Sequence, residues 1–301
     1  VIGVRSWTDG ITDWCALRRW LHGFVWPHMN RLVLVLCGFF EDPQYEEDRN
    51  AVREQKEWNE VCMKQDPALD IVISKGPWHR SFDARTKLDL AVLLEPGFQA
   101  QLHTWYETLQ TLQSMRHDSN ASGILATCEK RVPLVISGQS LWDSDTLARD
   151  SADAQLYERI LELAGFSIVA SRRNNPFSAI RPMGRHGHPN LDGRHECRNG
   201  FLLVAVGRSN AKPLPLQEIH VQACIQKAKM SLAMEKSYGD RHGDTAFLVQ
   251  AWEQLLQGLR TGETQLPVTA DLDLALTDAA GNAASEAKVA YIMQPALRGS
   301  G

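Results

Sequence analysis

The segment RHGHPNLDGRHEC, residues 185–197, gathers the side chains of this sequence that are best suited to bind a transition metal. It contains His186, His188, His195 and Cys197. Imidazole and thiolate are ligands that zinc prefers, but a structural site also needs them to converge in a tetrahedral arrangement. The spacing H-x-H-x6-H-x-C matches no zinc module that we can justify physically. We therefore predict no metal, and we name these four residues only as candidate ligands.

A second candidate for chemistry is a serine nucleophile in VISGQSLW, residues 135–142. Ser137 and Ser140 come at the end of a predicted strand, where α/β-hydrolases place their nucleophile. The pattern G-x-S-x-G, which forms the strained turn that exposes such a serine, is missing. We interpret the hydroxyls as caps of a helix that begins near Asp143, and we predict no catalytic residue.

A nucleotide cofactor would require a glycine-rich turn after the first strand, because only glycine lets backbone N–H groups approach the ligand closely. The candidate turns VIGVRSW and LCGFFEDP each hold a single glycine, and no P-loop pattern is present. We therefore predict no cofactor. A vestigial pocket at the strand ends would be lined by Gly38, Glu95, Gly97, Ser137 and Gln139. The Pro-Gly pair before Phe98 is also good chemistry for a simple turn.

The segment NNPFSAIRP, residues 174–182, contains two prolines, a phenylalanine and an arginine. Proline lacks a backbone N–H and pushes the preceding residue towards extended geometry, so we predict a shaped loop. Its candidate structural or binding residues are Asn175, Pro176, Phe177, Arg181 and Pro182. We expect the phenylalanine to point inward and the arginine to donate hydrogen bonds to carbonyls or a carboxylate, which would brace the sheet.

Apolar runs separated by helical patterns predict the elements that must position these residues. The predicted strands are 31–38, 69–76, 88–97, 132–138, 165–173 and 201–208. Near-continuous apolar runs are typical of strands covered on both faces, so we predict an α/β fold with a mainly parallel sheet. No helix separates the last two strands, which indicates an antiparallel pair at the end of the sheet. This arrangement is similar to the topology of class I methyltransferases.

The composition excludes several classes of protein. The chain has 301 residues, a net charge of −4, 44% hydrophobic and 23% charged residues, and no apolar window long enough to span a bilayer. A charge so close to neutral argues against a dedicated nucleic-acid surface. The six cysteines are scattered without a C-x-x-C pair, which indicates reduced, buried thiols in an intracellular protein. Nine tryptophans indicate extensive aromatic packing or a partner surface. Trp14 and Trp20 are candidate contacts, although core packing is favoured for each of them.

The chain changes character near AKPLPLQ, residues 211–217. We predict an α/β domain over 1–216 and a C-terminal extension of two helices over 217–260. Residues 261–301 are rich in Ala, Asp, Gly and Thr, with DLDLALTD as a possible edge strand. We predict that this last part is an arm that a partner orders.

Several of these segments together resemble one family. LDLAVLLEPGF, Trp105, VPLVISGQSLWDSDTLARD, NNPFSAIRP and RNGFLLVAVGR follow the order of the C-terminal domain of the mitochondrial splicing suppressor family, in which that domain accompanies an N-terminal MYND zinc finger. The resemblance covers residues 1–210, and its most specific part is the N-P-F and R-P loop. Asn199 and Gly207 match the ends of the family's last strand. Ala179 and Ile180 depart from its Ser-Leu pair, and no MYND finger is present.

The resemblance implies a degenerate Rossmann-like domain without established catalytic residues, with fungal relatives that act in mitochondrial translation and cytochrome oxidase assembly. We therefore expect a non-catalytic domain that associates with other proteins in a multi-subunit assembly, in a mitochondrial or cytoplasmic location. The alternative is a divergent S-adenosylmethionine-dependent methyltransferase or nucleotide-binding enzyme.

Overall fold

Among the described residues, helices and strands are interspersed as far as Gly207, and only helices follow. The computed structural model describes residues 14–25, 27–38, 57–75, 88–94, 96–115, 131–143, 149–150, 152–174, 179–182, 194–242, 246–269, 271–272 and 274–283. The helices are α1 (Trp14–Trp20, continued by a π-helical turn over Leu21–Val25), α2 (57–65), α3 (Phe98–Ser114), α4 (Ala152–Leu163), α5 (Leu216–His242), α6 (Ala246–Thr261) and α7 (274–283). The strands are β1 (Leu32–Gly38), β2 (Leu69–Lys75), β3 (Ala91–Leu94), β4 (Pro133–Asp143), β5 (Arg149–Asp150), β6 (Phe166–Asn174), β7 (Ala179–Pro182) and β8 (Arg194–Gly207).

The chain divides into two units that interleave along the sequence. The sheet unit comprises residues 1–96, 107–151 and 167–209, and the helical unit comprises 97–106, 152–166 and 210–301. Within the described residues, no helix combines the length and the apolar character that crossing a bilayer requires.

Two small sheets make this a mixed α/β protein. Strands β1 and β2 pair in parallel, and β3 pairs in parallel with β4. Strand β4 then pairs antiparallel with β8, and the order of the larger sheet is β3-β4-β8-β6. Strand β5 pairs with β4, and β7 pairs antiparallel with β8. The parallel pairs agree with the predicted mixed α/β class, whereas the antiparallel pairing of β4 with β8 was not among the sequence predictions.

One face of the β1–β2 pair packs on helices α1 and α2. Its buried cluster contains Trp14, Cys15, Leu34, Cys62, Leu69 and Ile71. The Cys15 thiol donates to the Cys62 carbonyl at 3.4 Å, and Arg18 of α1 forms an ion pair with Asp66 just after α2. Trp14 is only 3% exposed, so it packs in the core, which is the role that its sequence position favours over a partner contact.

The larger sheet buries alternate residues of β4 and β8. Leu134 and Ile136 of β4 lie opposite Ala205 and Leu203 of β8, and all four are at most 1% exposed. Helix α3 approaches the end of β8 so closely that a Cβ on Gly207 would stand 2.2 Å from the Gln113 carbonyl oxygen. Glycine is therefore required where helix and strand backbones meet.

The helical unit has an aromatic and aliphatic core of its own. Phe98 is fully buried, and its ring contacts those of Trp105 and Tyr157 at centroid distances of 6.2 and 4.9 Å. Helix α4 packs on α5, and α5 packs on α6. The Lys236 ammonium of α5 forms an ion pair of 2.7 Å with the Glu253 carboxylate of α6.

Residues beyond α6 turn back and form a short helix instead of the predicted edge strand. The Asp271 carboxylate accepts a hydrogen bond of 3.2 Å from the Leu274 N–H, which is the geometry of a helix N-cap. Leu272, Leu276 and Ala280 are 1–2% exposed and lie four residues apart, so they share one face of a helix. Residues 271–272 and 274–283 are thus held by the chain's own core, whereas 273 and 284–301 lie outside the described residues.

Other boundaries also differ from the sequence predictions. Strand β4 continues to Asp143 and α4 begins only at Ala152, so the helix start predicted near Asp143 is wrong. The segment predicted as a proline loop includes β7, which ends at Pro182. In the segment predicted as a histidine-rich loop, β8 begins at Arg194. Backbone pairing with β8 stabilises β7 as a strand, and pairing with β4 and β7 stabilises the polar first half of β8.

Candidate functional site

Three neighbouring strands of the sheet unit bring several predicted site residues together. Strands β4 and β7 both pair antiparallel with the first part of β8, and we call this arrangement the β4–β8–β7 ribbon. Its rows of Cα partners, from β4 through β8 to β7, are Ser140, Cys197 and Ile180; Leu141, Glu196 and Arg181; and Trp142, His195 and Pro182. Residues of β4 and β8 that are more than 50 positions apart in sequence therefore occupy adjacent backbone positions.

The pairing within the ribbon is irregular at one place. Gly138 lies opposite Phe201, and Ser140 lies opposite Cys197. Gln139 alone separates the two β4 positions, whereas Arg198, Asn199 and Gly200 separate the two β8 positions. Such bulges bend a strand and re-aim its side chains, and they are common next to functional sites. Two residues predicted from unrelated segments, Gln139 and Asn199, thus meet at the same irregularity.

Ser137 lies at the centre of the larger sheet. Its Cα partners are Leu94 on the parallel side and Leu202 on the antiparallel side, and it is 0% exposed. A nucleophilic serine must reach its substrate, so this burial favours a structural role for the hydroxyl.

The space beside Gly138 is occupied by an aromatic ring. A Cβ on Gly138 would stand 2.3 Å from Cζ of Phe201, and Phe201 is 1% exposed. The glycine therefore serves to admit a neighbouring side chain into the core, and the same volume is not open to a cofactor.

The remaining predicted site residues do not join the ribbon. Gly97 has φ of 59°, a left-handed conformation that favours glycine, and its carbonyl accepts from the Gln101 N–H at the start of α3. This is the turn chemistry that its sequence also favoured. Gly38 is the last residue of β1 and lies opposite Lys75. Outside the described residues lie Glu95, Asn175, Pro176, Phe177, His186 and His188.

Of the four candidate zinc ligands, two are placed by the structure. His195 and Cys197 lie two positions apart on β8, opposite Trp142 and Ser140. Across the part of the chain that the structure describes, no group of three or more His, Cys, Asp or Glu side chains is arranged to hold a metal ion.

A buried polar cluster in the helical unit was missed by the sequence reasoning. His220 of α5 is 1% exposed, and its Nε2 lies 3.6 Å from Sγ of Cys224, one helical turn later. Burial lowers the pKa of the His220 imidazole, the nearby carbonyl of Leu266 acts in the opposite direction, and His103 of α3 lowers it further. The i, i+4 spacing of His220 and Cys224 in an otherwise apolar row is the signal that could have revealed this cluster.

The Cys224 thiol belongs to the same cluster. Burial raises its pKa to about 12, so that it stays protonated near neutral pH. Cys15, Cys62 and Cys224 are buried free thiols, in agreement with the prediction from cysteine spacing.

Known proteins offer no counterpart to this geometry. No protein-family model, curated protein or solved structure matches the chain.

Proposed function

We propose that this chain is a non-catalytic α/β domain that works by association with another protein, as a structural or assembly subunit of a larger complex. The observation that carries the proposal is the outer face of the β1–β2 pair. Val33 is 53% exposed and Val72 is 48% exposed, while the opposite face of the same strands is buried. Parallel strands are ordinarily covered on both faces, so an apolar parallel pair with one exposed face favours docking of a partner.

The register makes this face continuous. Val72 is the direct partner of Val35, and Val33 is the direct partner of Asp70, so these four residues share one side of the pair. Asp70 forms an ion pair with Arg31, which lies one residue before β1. The outer face thus offers three adjacent valines with a charged pair at one end, a pattern of apolar centre and polar rim that is typical of protein interfaces.

Two features of the larger sheet support a non-catalytic role. The space beside Gly138 is filled by the Phe201 ring, and Ser137 is fully buried. The sequence also lacks the glycine-rich turn that brings backbone N–H groups close to a nucleotide. A degenerate Rossmann-like domain of the splicing suppressor type accounts for these features together, and that assignment is part of the proposal.

The test is co-purification from native material with a tagged chain. Replacing Val33 and Val72 by threonine keeps the β-branched shape while making the outer face polar. We expect a partner that co-purifies with the wild-type chain to be lost from the Val33→Thr/Val72→Thr variant. Val169→Thr is the matched control, because Val169 is a 52% exposed strand valine on β6 and should leave binding intact. Equal recovery of all partners by the double variant would contradict the proposal.

The strand order favours a second candidate, a divergent S-adenosylmethionine-dependent methyltransferase or nucleotide-binding enzyme. The order β3-β4-β8-β6, with β3 and β4 parallel and β8 antiparallel to β4, is similar to the end of a class I methyltransferase sheet. Calorimetry with S-adenosylmethionine separates the two candidates. Saturable binding in the micromolar range would replace the association proposal with the enzymatic one.

A further inference from the structure

The His220 imidazole occupies a site that disfavours its protonated form. The residue is 1% exposed, and within the described residues its Nδ1 has no hydrogen-bond partner. The Nδ1 of His103, which lies near it in the helical unit, is likewise buried and without a hydrogen bond to any described residue. A charged imidazole at this place would lose its hydration, and the Leu266 carbonyl offsets only part of that loss.

Among the described residues, the groups that act on His220 supply no negative charge. On its own helix, the Cys224 thiol is too weak an acid to become a thiolate near neutral pH, because burial raises its pKa to about 12. From α3, His103 can add only positive charge. From the segment after α6, the Leu266 carbonyl contributes a dipole but no net charge. Protonation of His220 would therefore place an unpaired cation inside the unit.

The segment that supplies Leu266 is residues 262–269, which we call the strap. It begins at Gly262, whose φ of 78° reverses the chain after α6. The Thr264 N–H donates to the Gly258 carbonyl at 3.0 Å, and a Cβ on Gly258 would stand 2.3 Å from the Thr264 hydroxyl. The strap thus contacts α6 at Gly258 and lies beside α5 at His220. It has no regular helix or strand of its own.

We propose that His220 is a pH sensor that loosens the strap when the imidazole becomes protonated. The burial of the neutral ring keeps the strap closed at neutral pH. In mildly acidic solution the protonated ring must reach water, and the segment without secondary structure is the part of its surroundings that opens most readily. This device lies in the helical unit, and it does not depend on the outer face of β1–β2.

The direction of the pH effect follows from linkage. The pKa of His220 is lower in the folded chain than its ordinary value of 6.5. The state in which the strap is open therefore binds more protons than the state in which it is closed. The free energy that holds the strap closed is therefore independent of pH above about pH 6.5. It decreases as the pH falls from there through the folded pKa of His220.

Hydrogen exchange of the full chain, measured by mass spectrometry between about pH 7.5 and pH 5.5, tests the proposal. After correction for intrinsic exchange, we expect amides of the strap to exchange faster at the lower pH, by at most about tenfold, a limit set by the ordinary histidine pKa. His220→Gln should abolish this acceleration. His28→Gln is the matched control, because His28 is exposed, and it should behave as the wild type. Strap exchange that is independent of pH, or acceleration that persists in His220→Gln, would overturn the proposal.

A second measurement does not depend on the folding of any variant. The imidazole resonances of wild-type His220 can be followed by NMR as the pH is lowered. We expect a titration midpoint below the ordinary value of about 6.5, together with shifts of strap amides at the same midpoint. A midpoint at or above that value, or strap amides that do not follow it, would show that the buried ring does not control the strap.

Discussion

Phe201 lies directly opposite Gly138 in the antiparallel pair of β4 and β8, and its ring fills the volume that a side chain on the glycine would need. Because both residues are buried, an added methyl group has no free space into which it can move. Overpacking of this kind costs about 1–3 kcal/mol. We therefore expect Gly138→Ala to lower the free energy of unfolding by an amount in that range, measured by urea denaturation.

Gly23→Ala provides the comparison for this substitution. No atom lies within 4 Å of a Cβ built on Gly23, which sits in the π-helical turn after α1. We expect this variant to be as stable as the wild type or slightly more stable, since alanine is the better helix former. Equal losses in the two variants would mean that the ring does not occupy the space beside Gly138.

Arg131 ties the end of α3 to the start of β4. Its Nη1 donates to the carbonyls of Gln113 and Ser114 at 3.3 and 3.0 Å, and the residue is 8% exposed. These carbonyls belong to the last turn of the helix, where a side-chain donor can reach them. Arg131→Met should lower the free energy of unfolding by about 1.5–3 kcal/mol, the usual contribution of hydrogen bonds to a charged group.

The matched control is Arg159→Met. The Arg159 guanidinium and the Glu162 carboxylate are 3.7 Å apart on the surface of α4, with exposed fractions of 42% and 52%. Exposed pairs of this spacing contribute about 0.3–0.5 kcal/mol. Denaturation curves of the two variants in the same buffer should therefore differ clearly, and similar midpoints would contradict the role assigned to Arg131.

Arg181 and Glu196 are direct Cα partners in the pair of β7 and β8. Opposite charges at such cross-strand positions contribute about 0.2–1 kcal/mol. We expect Arg181→Ala and Glu196→Ala each to lower the free energy of unfolding, and the double variant to lose less than the sum of the two. A double-mutant cycle measures this difference. Additive losses would show that the arginine braces the sheet through other groups or not at all.

The burial of the Cys224 thiol leads to a prediction about its reactivity. Alkylation requires a thiolate that the reagent can reach. Burial raises the pKa of the Cys224 thiol to about 12, so little thiolate forms, and it also shields the sulfur from the reagent. With iodoacetamide near pH 8, we expect Cys224 to be modified only after denaturation, as judged by mass spectrometry of its peptide. The raised pKa also means that this thiol lowers stability as the pH rises above 9. Rapid modification of the native chain would contradict the packing of α5.

Apolar runs predicted most of the sheet, because strands that are buried in the core must carry such runs. β1, β2, β3, β4, β6 and the second half of β8 lie where those runs occur. The first half of β8 is polar, and β7 is four residues long with an arginine and a proline. Both are strands because their backbones pair with a neighbour, which no local pattern reveals. The alternation in DLDLALTD indicates a strand, yet Leu272, Leu276 and Ala280 are also spaced for a helix, and the Asp271 cap decides between the two.

The candidate site could be predicted only in part for a related reason. The residue types at Gln139, Asn199 and Arg181 drew attention to their segments, but their meeting in one ribbon depends on the register of β4, β8 and β7. Register is set by the pairing of whole strands and by the position of a bulge, so it cannot be read from any one segment. His220 was missed because a lone histidine in an apolar helix resembles an ordinary core position.

The return of the chain after α6 limits how far the protein can be shortened for expression. A fragment that stops at residue 260 would lack Leu272, Leu276 and Ala280, and it would leave their apolar neighbours in contact with water. Such a fragment should be recovered mainly from the insoluble fraction, whereas one that extends to residue 283 keeps all three side chains.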